Sequence, residues 1–309
     1  MHATHIRFLK NNQVDKQRWD ECMERCPHGL IYARSVYLDC LCPGWHAMVH
    51  EDYDWVIPLT SKTKFGISYL YQPPFTQQAG VFSKDSLVTI PWRELLSLVG
   101  QQYKFWQYNF HYGTPAIFDE SFNVKTATNF VLPLQQGYES IQQSYANDLL
   151  RNLEKSNKQQ LIYASQHNTN LAIDTYITNY ADRMPHVSKT DYSRFKTLVS
   201  ILQKEGNVVC RQVVNDRQEL LAIALLLKDN RRLYNLMNST TEKGRKIAAN
   251  HFLMDAIIKE FEGQELILDF EGSDLTGVKT FYQNFGAINQ PYYMVNYNNL
   301  PWPINLLKR

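Results

Sequence analysis

The second half of the chain alternates between extended apolar runs and helical patterns in an order that predicts a mixed sheet. A strand pattern at 159–165 precedes two helical patterns, and the second ends at Gly206, a residue suited to a left-handed helix cap. Three β-rich runs follow, separated by turn-like NDR and DNRR, so they predict an antiparallel meander. The third run leads into a long helix at 243–261, and the strand ELILDFE, a short helix and the strand YYMVNY complete the order.

The first half repeats this plan in weaker form. WDECMERC predicts a helix, three strand patterns run from WHAMVHE to FGISYLYQPPF, and PWRELLSLVGQQ predicts a crossover helix before the strand KFWQYNFH. The sequence therefore predicts a mixed α/β (α+β) fold of two similar domains, each a mostly antiparallel twisted sheet with flanking helices. We expect their boundary between 135 and 160, and we assign residues 1–145 and 146–309 to the two domains.

Composition and charge narrow the classes of function. The 309 residues include 32 Lys plus Arg and 30 Asp plus Glu, so the net charge of +2 predicts neither strong nucleic-acid binding nor an acidic partner. With 44% hydrophobic and 20% charged residues, the chain has enough apolar material for ordinary cores. The first residues lack the apolar stretch of a secretion signal, and no run is long enough to span a membrane. We expect a cytoplasmic protein that does not insert into a membrane.

The five cysteines are an odd number in a chain too long to need disulfide staples, which favours reduced thiols. Four of them cluster near three histidines, so a zinc site is the alternative; these residues are Cys22, Cys26, Cys40, Cys42, His28, His46 and His50. Their Cys-x3-Cys and Cys-x-Cys spacings differ from the usual two-residue zinc knuckle. We therefore expect no bound metal.

The segment FYQNFGA places Tyr282 four residues before Gly286. Together with the order of elements, it resembles the late motif of the GNAT acyltransferases. Two such halves in one chain, joined by an apolar strand, a helix and the basic residues Arg151, Lys155 and Lys158, resemble the tandem-domain, Fem-type (FemAB-like) aminoacyltransferases. The resemblance implies an N-acyltransferase that moves an acyl or aminoacyl group to a small-molecule or peptide-like amine. The donor would be a coenzyme A thioester or aminoacyl-tRNA, attacked directly in an inter-domain cleft.

The resemblance also implies that the donor's phosphates bind where the long crossover helix begins, because free N–H groups and the helix dipole favour anions there. The candidate donor-binding residues are Asn238, Ser239, Gly244, Arg245 and Lys246. The family's loop usually reads R/Q-x-x-G-x-G/A, whereas this chain has Lys243 first and Lys246 where glycine is expected. The alternative is an ordinary helix N-terminus with a Ser or Thr cap and solvated basic residues.

Three residues are candidates for the chemistry. Asp269 and Glu271 alternate along ELILDFE, so on a strand they share a face, and two close carboxylates raise each other's pKa, as suits a general base. By the resemblance, Tyr282 stands where a phenol can protonate a departing thiolate. The alternatives are structural roles for all three. His251 and Asp255, one helical turn apart, are a further base-and-orienter pair, although a core histidine is the favoured interpretation.

The loop YLYQPPFTQQAG is the candidate acceptor-binding segment of the first half, expected to face the cleft. It offers aromatic walls and amides for a polar substrate, from Tyr71, Gln72, Phe75, Gln77 and Gln78. A loop that closes a sheet edge would have the same composition. Two non-enzymatic alternatives remain. One is a ligand-binding or interaction protein on a degenerate GNAT pair, and the other is a zinc-stabilised interaction protein.

Overall fold

The computed structural model describes residues 6–85, 88–272 and 275–305, and its contacts divide the chain into two units. Unit 1 comprises Met1–Ala127 with Pro291–Arg309, and unit 2 comprises Thr128–Gln290.

The strands, in chain order, are β1 (Ile6–Lys10), β2 (His46–His50), β3 (Trp55–Leu59), β4 (Ser61–Lys64), β5 (Ile67–Leu70), β6 (Phe82–Ser83), β7 (Phe105–Phe110), β8 (Phe122–Ala127), β9 (Phe130–Pro133), β10 (Ile162–Ser165), β11 (Val208–Val214), β12 (Leu220–Lys228), β13 (Arg232–Thr240), β14 (Ile267–Asp269), β15 (Ile288–Asn289) and β16 (Tyr292–Asn298). The α-helices are α1 (Lys16–Arg25), α2 (Ser35–Leu41), α3 (Trp92–Gln102), α4 (Tyr138–Gln142), α5 (Asn147–Asn157), α6 (Thr169–Tyr180), α7 (Lys189–Lys204), α8 (Glu242–Lys246), α9 (Ala249–Phe261) and α10 (Thr276–Asn284).

Unit 2 is built on one mixed sheet of strand order β10-β11-β12-β13-β14-β9-β15. The meander β10 to β13 is antiparallel, and β13 pairs with β14 in parallel after the crossover through α8 and α9. Apolar residues of α5 and α9 pack with this sheet into a buried core that includes Leu149, Leu253, Ile257 and Leu268. The predicted succession of strands and helices in this half is therefore confirmed up to β14 and α10.

The crossover is not the single helix predicted at 243–261. The structure has the short α8, then a break, then α9, whose N-cap Ala248 adopts a left-handed conformation with φ of 57°. Gly244 lies so close to the chain that a Cβ there would be 2.2 Å from the Leu221 carbonyl oxygen. The break accompanies the packing of α8 on the start of β12, a tertiary contact that helical periodicity alone does not reveal.

Unit 1 contains two sheets, of strand order β1-β2-β3-β6 and β4-β5-β7-β16-β8. The second sheet also contains one parallel pair, β5 with β7, in register at Leu70 and Trp106. Helix α3 packs Leu95 and Val99 into a core rich in aromatic residues, including the fully buried Trp106. The first half thus shares with the second a parallel pair reached through a helix.

The division between the units differs from the predicted 145/146, because unit 2 begins at Thr128 and ends at Gln290. Two strands account for the difference. Strand β9 pairs with β14, with Leu132 opposite Leu268, and therefore belongs to unit 2. Strand β16, expected to close the second domain, instead pairs with β7 and β8 in unit 1. The choice of sheet partner is a long-range property, and local pattern does not encode it.

Candidate active site

The parallel strands β13 and β14 separate after a short paired stretch. They are in register from Arg232 with Ile267 to Tyr234 with Asp269. Beyond that point β13 continues beside β12 as far as Thr240, whereas the chain after β14 follows β9, with Phe270 N–H donating to the Phe130 carbonyl at 2.9 Å. The two strands therefore diverge inside unit 2, and we call the region between them beyond Tyr234 and Asp269 the gap.

A β-bulge lies where the gap begins. On β12, Leu225 and Leu227 are two residues apart, but their partners Met237 and Tyr234 on β13 are three apart. Strand β13 thus carries one extra residue, in the Asn235–Leu236 stretch. Bulges interrupt the hydrogen-bond ladder and redirect side chains, and they occur often beside active sites.

Buried polar atoms without partners collect along the same strand and on the first turn of α9. Within the described residues, no hydrogen-bond partner reaches Asn235 Oδ1 or Ser239 Oγ on β13. The same holds for Asn250 Oδ1 and His251 Nδ1 at the start of α9. Buried polar groups are normally satisfied, so Asn235 and Ser239, on the strand beside the divergence, are candidates to contact polar atoms of a ligand.

Glu271 and Tyr282 are brought together near the carboxyl end of β14. Glu271 has a left-handed backbone with φ of 63°, and its N–H donates to Asp269 Oδ1 at 3.0 Å. The Tyr282 ring stacks on buried Phe270, with ring centroids 4.8 Å apart. Burial, followed by the charge of Glu271, raises the pKa of the Tyr282 phenol above its usual range. The phenol is therefore protonated at neutral pH, with a carboxylate within electrostatic reach.

Two tyrosines of α6 belong to the same cluster. Tyr176 and Tyr180 lie one turn apart with ring centroids 5.0 Å apart, and both add to the electrostatic shift at Tyr282. Burial is also the main reason that the pKa of Tyr176 rises to about 12, and Glu271 contributes. The i, i+4 spacing was visible in the sequence, but its connection to Glu271 depends on tertiary contacts.

Asp269, predicted to act as a base, is buried at the end of β14 and held by hydrogen bonds. It is fully buried, and its Oδ2 accepts hydrogen bonds from Arg232 Nη1 at 2.8 Å and from Asn129 Nδ2 at 3.2 Å. Arg232 also donates to Gln290 Oε1 at 2.9 Å. Burial raises the pKa of Asp269, and the Arg232 guanidinium opposes that shift. Local sequence patterns do not reveal Arg232, because its partner Asp269 is 37 residues away along the chain.

Three of the predicted phosphate-binding residues, Gly244, Arg245 and Lys246, lie on α8, the short helix that precedes α9. Arg245 Nη1 donates to the Thr240 carbonyl at 2.8 Å, and Lys246 pairs with Glu242 at 2.8 Å. Gly244 packs against β12, as described above. Left-handed Ala248 stands directly before α9, and Arg245 lies three residues earlier in the chain.

The two remaining donor-site candidates, Asn238 and Ser239, lie on β13 beyond its last pairing with β14. Asn238 Nδ2 contacts Met254 Sδ of α9 at 3.3 Å, and Ser239 is buried with the unpartnered hydroxyl noted above. These two residues therefore line the part of β13 that borders the gap.

The polar groups of the predicted acceptor loop form hydrogen bonds within the loop and with neighbouring segments of unit 1. Gln72 Oε1 accepts from Asn109 N–H at 3.1 Å, and buried Gln78 accepts from Tyr112 N–H at 2.9 Å while donating to Gln77 Oε1 at 2.6 Å. The Tyr71 hydroxyl contacts Cys42 Sγ at 3.6 Å. Phe75, with φ of 62°, accepts a hydrogen bond from the Tyr37 hydroxyl at its carbonyl. These groups hold the loop together, as the sheet-closing alternative expects.

The pair His251 and Asp255 does not form. Asp255 accepts hydrogen bonds from the Tyr138 and Tyr145 hydroxyls at 2.8 and 3.0 Å, and His251 packs against the Phe281 ring. Burial lowers the pKa of His251. All five cysteines are free thiols. In the described ranges, no cluster of three or more His, Cys, Asp or Glu side chains is suited to a metal ion. Nor does any helix in those ranges have the length and apolar character needed to cross a membrane.

Several solved structures are similar to this fold along most of the chain. FemX matches with a TM-score of 0.66 over 96% of this chain and 98% of that chain, at 12% identity. The C-terminal domain of a putative lysylphosphatidylglycerol synthetase from Agrobacterium fabrum matches with a TM-score of 0.56, over 96% and 95% of the two chains, at 12% identity. A GCN5-related N-acetyltransferase from Sphaerobacter thermophilus matches with a TM-score of 0.51, over 96% of both chains, at 9% identity.

These similarities confirm the predicted mixed α/β class and the GNAT-like, Fem-type resemblance at the level of the fold. No protein-family model matches the sequence, and no curated protein matches it.

Proposed function

We propose that this protein transfers an acyl or aminoacyl group from an activated donor to an amine, in the gap between β13 and β14. The observation that carries the proposal is the divergence of this parallel pair, with Glu271 and Tyr282 gathered near the carboxyl end of β14. The fold shared with FemX, with a GCN5-related N-acetyltransferase and with a protein named for lysylphosphatidylglycerol synthesis agrees with transfer chemistry.

In the proposed reaction, the amine nitrogen forms a bond to the acyl carbon while the bond from that carbon to the donor's oxygen or sulfur breaks. Glu271 accepts the proton that the amine loses. Tyr282 donates its proton to the departing oxygen or sulfur. General acid–base assistance of this kind contributes about 10²–10⁴-fold in rate.

A phenol that can donate a proton matters more to an ester donor than to a thioester. A thiolate, whose conjugate acid has a pKa of about 8.5, departs without help, whereas a departing alkoxide is far more basic and needs a proton. The local pairing of Arg245 and Lys246 also weakens the case for a coenzyme A phosphate site. We therefore propose aminoacyl-tRNA, an ester, as the first donor to test and acetyl coenzyme A as the second.

The test is a transfer assay with each donor and a panel of primary amines, read by mass spectrometry of the products. Glu271→Gln should abolish most of the transfer because the amide cannot accept a proton. Glu265→Gln is the matched control, since Glu265 is exposed and precedes the same strand. Equal activity of the Glu271→Gln variant and the parent would remove Glu271 from the mechanism.

The second candidate function is binding without turnover on a degenerate GNAT pair. The departure of the loop from the family's pattern favours it, with Lys243 at the first position and Lys246 where glycine is expected. It becomes the better interpretation if the parent binds a donor but transfers to no amine in the panel.

A further inference from the structure

A hairpin in unit 1 exposes an aromatic side chain in a strained position. Strands β4 and β5 are joined by Phe65 and Gly66, whose φ angles of 52° and 77° are both left-handed. Such two-residue turns favour Asn-Gly, because a bulky side chain pays a conformational penalty there. Phe65 is nevertheless 92% exposed, so no packing within the chain compensates for this strain.

A second apolar segment lies at the same end of the sheet. Strand β16 ends beside the start of β7, with Asn298 opposite Phe105. Strand β5 runs parallel to β7, so the hairpin turn before β5 lies at this same end of the strands. The chain then continues through Pro301, Trp302, Pro303 and Ile304, all exposed, with Trp302 79% exposed. We name Phe65 and residues 301–304 the aromatic tip.

Basic side chains lie on the hairpin side of the aromatic tip. Lys62 and Lys64 flank Phe65 on the hairpin, and exposed Lys104 immediately precedes β7. Residues 61–70 contain no acid. The acidic pair Asp119 and Glu120 precedes β8, which begins beside the end of β16 with Phe122 opposite Tyr297, so it lies at the same end of the sheet but four strands away from β4. The charge at the hairpin is therefore complementary to an anionic surface.

From this arrangement we propose that the aromatic tip docks this protein on an anionic lipid surface, with Phe65 and Trp302 entering the headgroup region and the lysines contacting lipid phosphates. Aromatic side chains favour the membrane interface, and each nearby Lys adds attraction to anionic lipid. The docking is peripheral and independent of the transfer chemistry proposed above.

The shape and chemistry of the tip favour lipid over nucleic acid. Stacking on unpaired nucleotides uses aromatic faces along a groove, whereas these rings project from a turn and from a chain segment beyond the sheet. Lys64 Nζ lies 5.4 Å from the Phe65 ring centroid, over the face that a base would occupy. Pro301 and Pro303 lack N–H donors, so residues 301–304 leave fewer backbone groups to desolvate.

The experiment measures binding of the full chain to phosphatidylcholine vesicles with and without phosphatidylglycerol, at low and high salt. The parent should bind the anionic vesicles more tightly, and high salt should weaken that binding. Phe65→Asn suits the left-handed turn and should fold at least as well as the parent, while lowering the vesicle partition coefficient about tenfold. Ile288→Ser is the control, because Ile288 is an exposed apolar residue of unit 2.

Charge and depth are tested separately. Lys62→Glu with Lys64→Glu should reduce anionic-vesicle binding about tenfold, whereas Lys189→Glu with Lys204→Glu, which makes the same charge change on α7, should not. Brominated lipids should quench the parent's tryptophan emission more than that of Trp302→Phe. Equal binding to both kinds of vesicle, or unchanged binding by Phe65→Asn, would overturn the proposal. Binding to single-stranded RNA that requires Phe65, without vesicle binding, would overturn it in favour of RNA.

Discussion

Each unit contains a parallel strand pair reached through a helix, and the two pairs end differently. In unit 1, the chain after β5 returns to β7, where Ala79 exchanges backbone hydrogen bonds with Asn109 and His111. Asn109 also donates two hydrogen bonds, from its N–H to Gln72 Oε1 and from its side-chain amide to the Gln77 carbonyl. In unit 2, the described residues show no pairing of β13 with β14 beyond Tyr234 and Asp269.

The two units share a parallel strand pair reached through a helix, but the surroundings of the two pairs differ. Unit 1 fills the position beside its parallel pair with its own backbone and glutamine amides. Unit 2 leaves buried polar atoms of Asn235 and Ser239 unpartnered on the strand that borders its gap. We therefore expect substitutions in unit 1 to change stability, and substitutions in unit 2 to change binding and rate.

The largest expected effect is on the proposed acid. Tyr282→Phe should lower kcat about 100-fold with an ester donor and much less with a thioester, because only the alkoxide needs the proton. Since the pKa of Tyr282 is raised, the phenol should remain protonated as the pH approaches the ordinary tyrosine value of about 10. Stopped-time assays of both donors across that range measure the effect. An equal rate loss with both donors would contradict the donor assignment.

A loss of stability without a loss of rate is expected in unit 1. Gln78→Leu removes the acceptor for Tyr112 N–H from a fully buried position, which should lower the free energy of unfolding by about 1–3 kcal/mol. Denaturant titration measures this loss, and Gln101→Leu on the exposed end of α3 is the control. A variant that keeps its stability but loses acceptor affinity would restore the loop as a substrate site.

A smaller effect is expected at α8, where the sequence suggested a phosphate site. Arg245→Ala should weaken donor binding about tenfold if the guanidinium leaves Thr240 to meet a phosphate, with little change in melting temperature. Lys246→Ala is the matched comparison, because Lys246 is exposed and paired with Glu242. Isothermal titration with both donors distinguishes the two. Equal affinities of the parent and both variants would leave α8 with a structural role alone.

Local sequence patterns predicted the elements well because hydrophobic periodicity and turn residues are local properties. They also suggested Glu271, just after a recognisable strand, and Tyr282, in a short helical motif, as candidates for the chemistry, and these roles stay predictions. They could not identify Arg232 as the partner of Asp269, since those residues are far apart in the chain and meet only through parallel pairing. Nor could they place β16 in unit 1, because an amphipathic strand carries no record of which sheet it joins.

The smallest expected effect separates strain from chemistry within unit 2. Glu271 and Gln218 both have left-handed backbones, with φ of 63° and 62°, and Gln218 lies in the exposed turn between β11 and β12. Replacing either with glycine relieves about 1–2 kcal/mol of strain but adds unfolded-state entropy, so each variant should gain about 0.5–1 kcal/mol in the free energy of unfolding. Thermal denaturation measures this gain. Only Glu271→Gly should also lose transfer activity. If a strained residue is kept for stability, its replacement lowers both the free energy of unfolding and the activity. If it is kept for chemistry, its replacement lowers the activity while the free energy of unfolding rises. If Glu271→Gly is less stable than Gln218→Gly, the carboxylate holds the end of β14 together, and the base must be sought elsewhere in the gap.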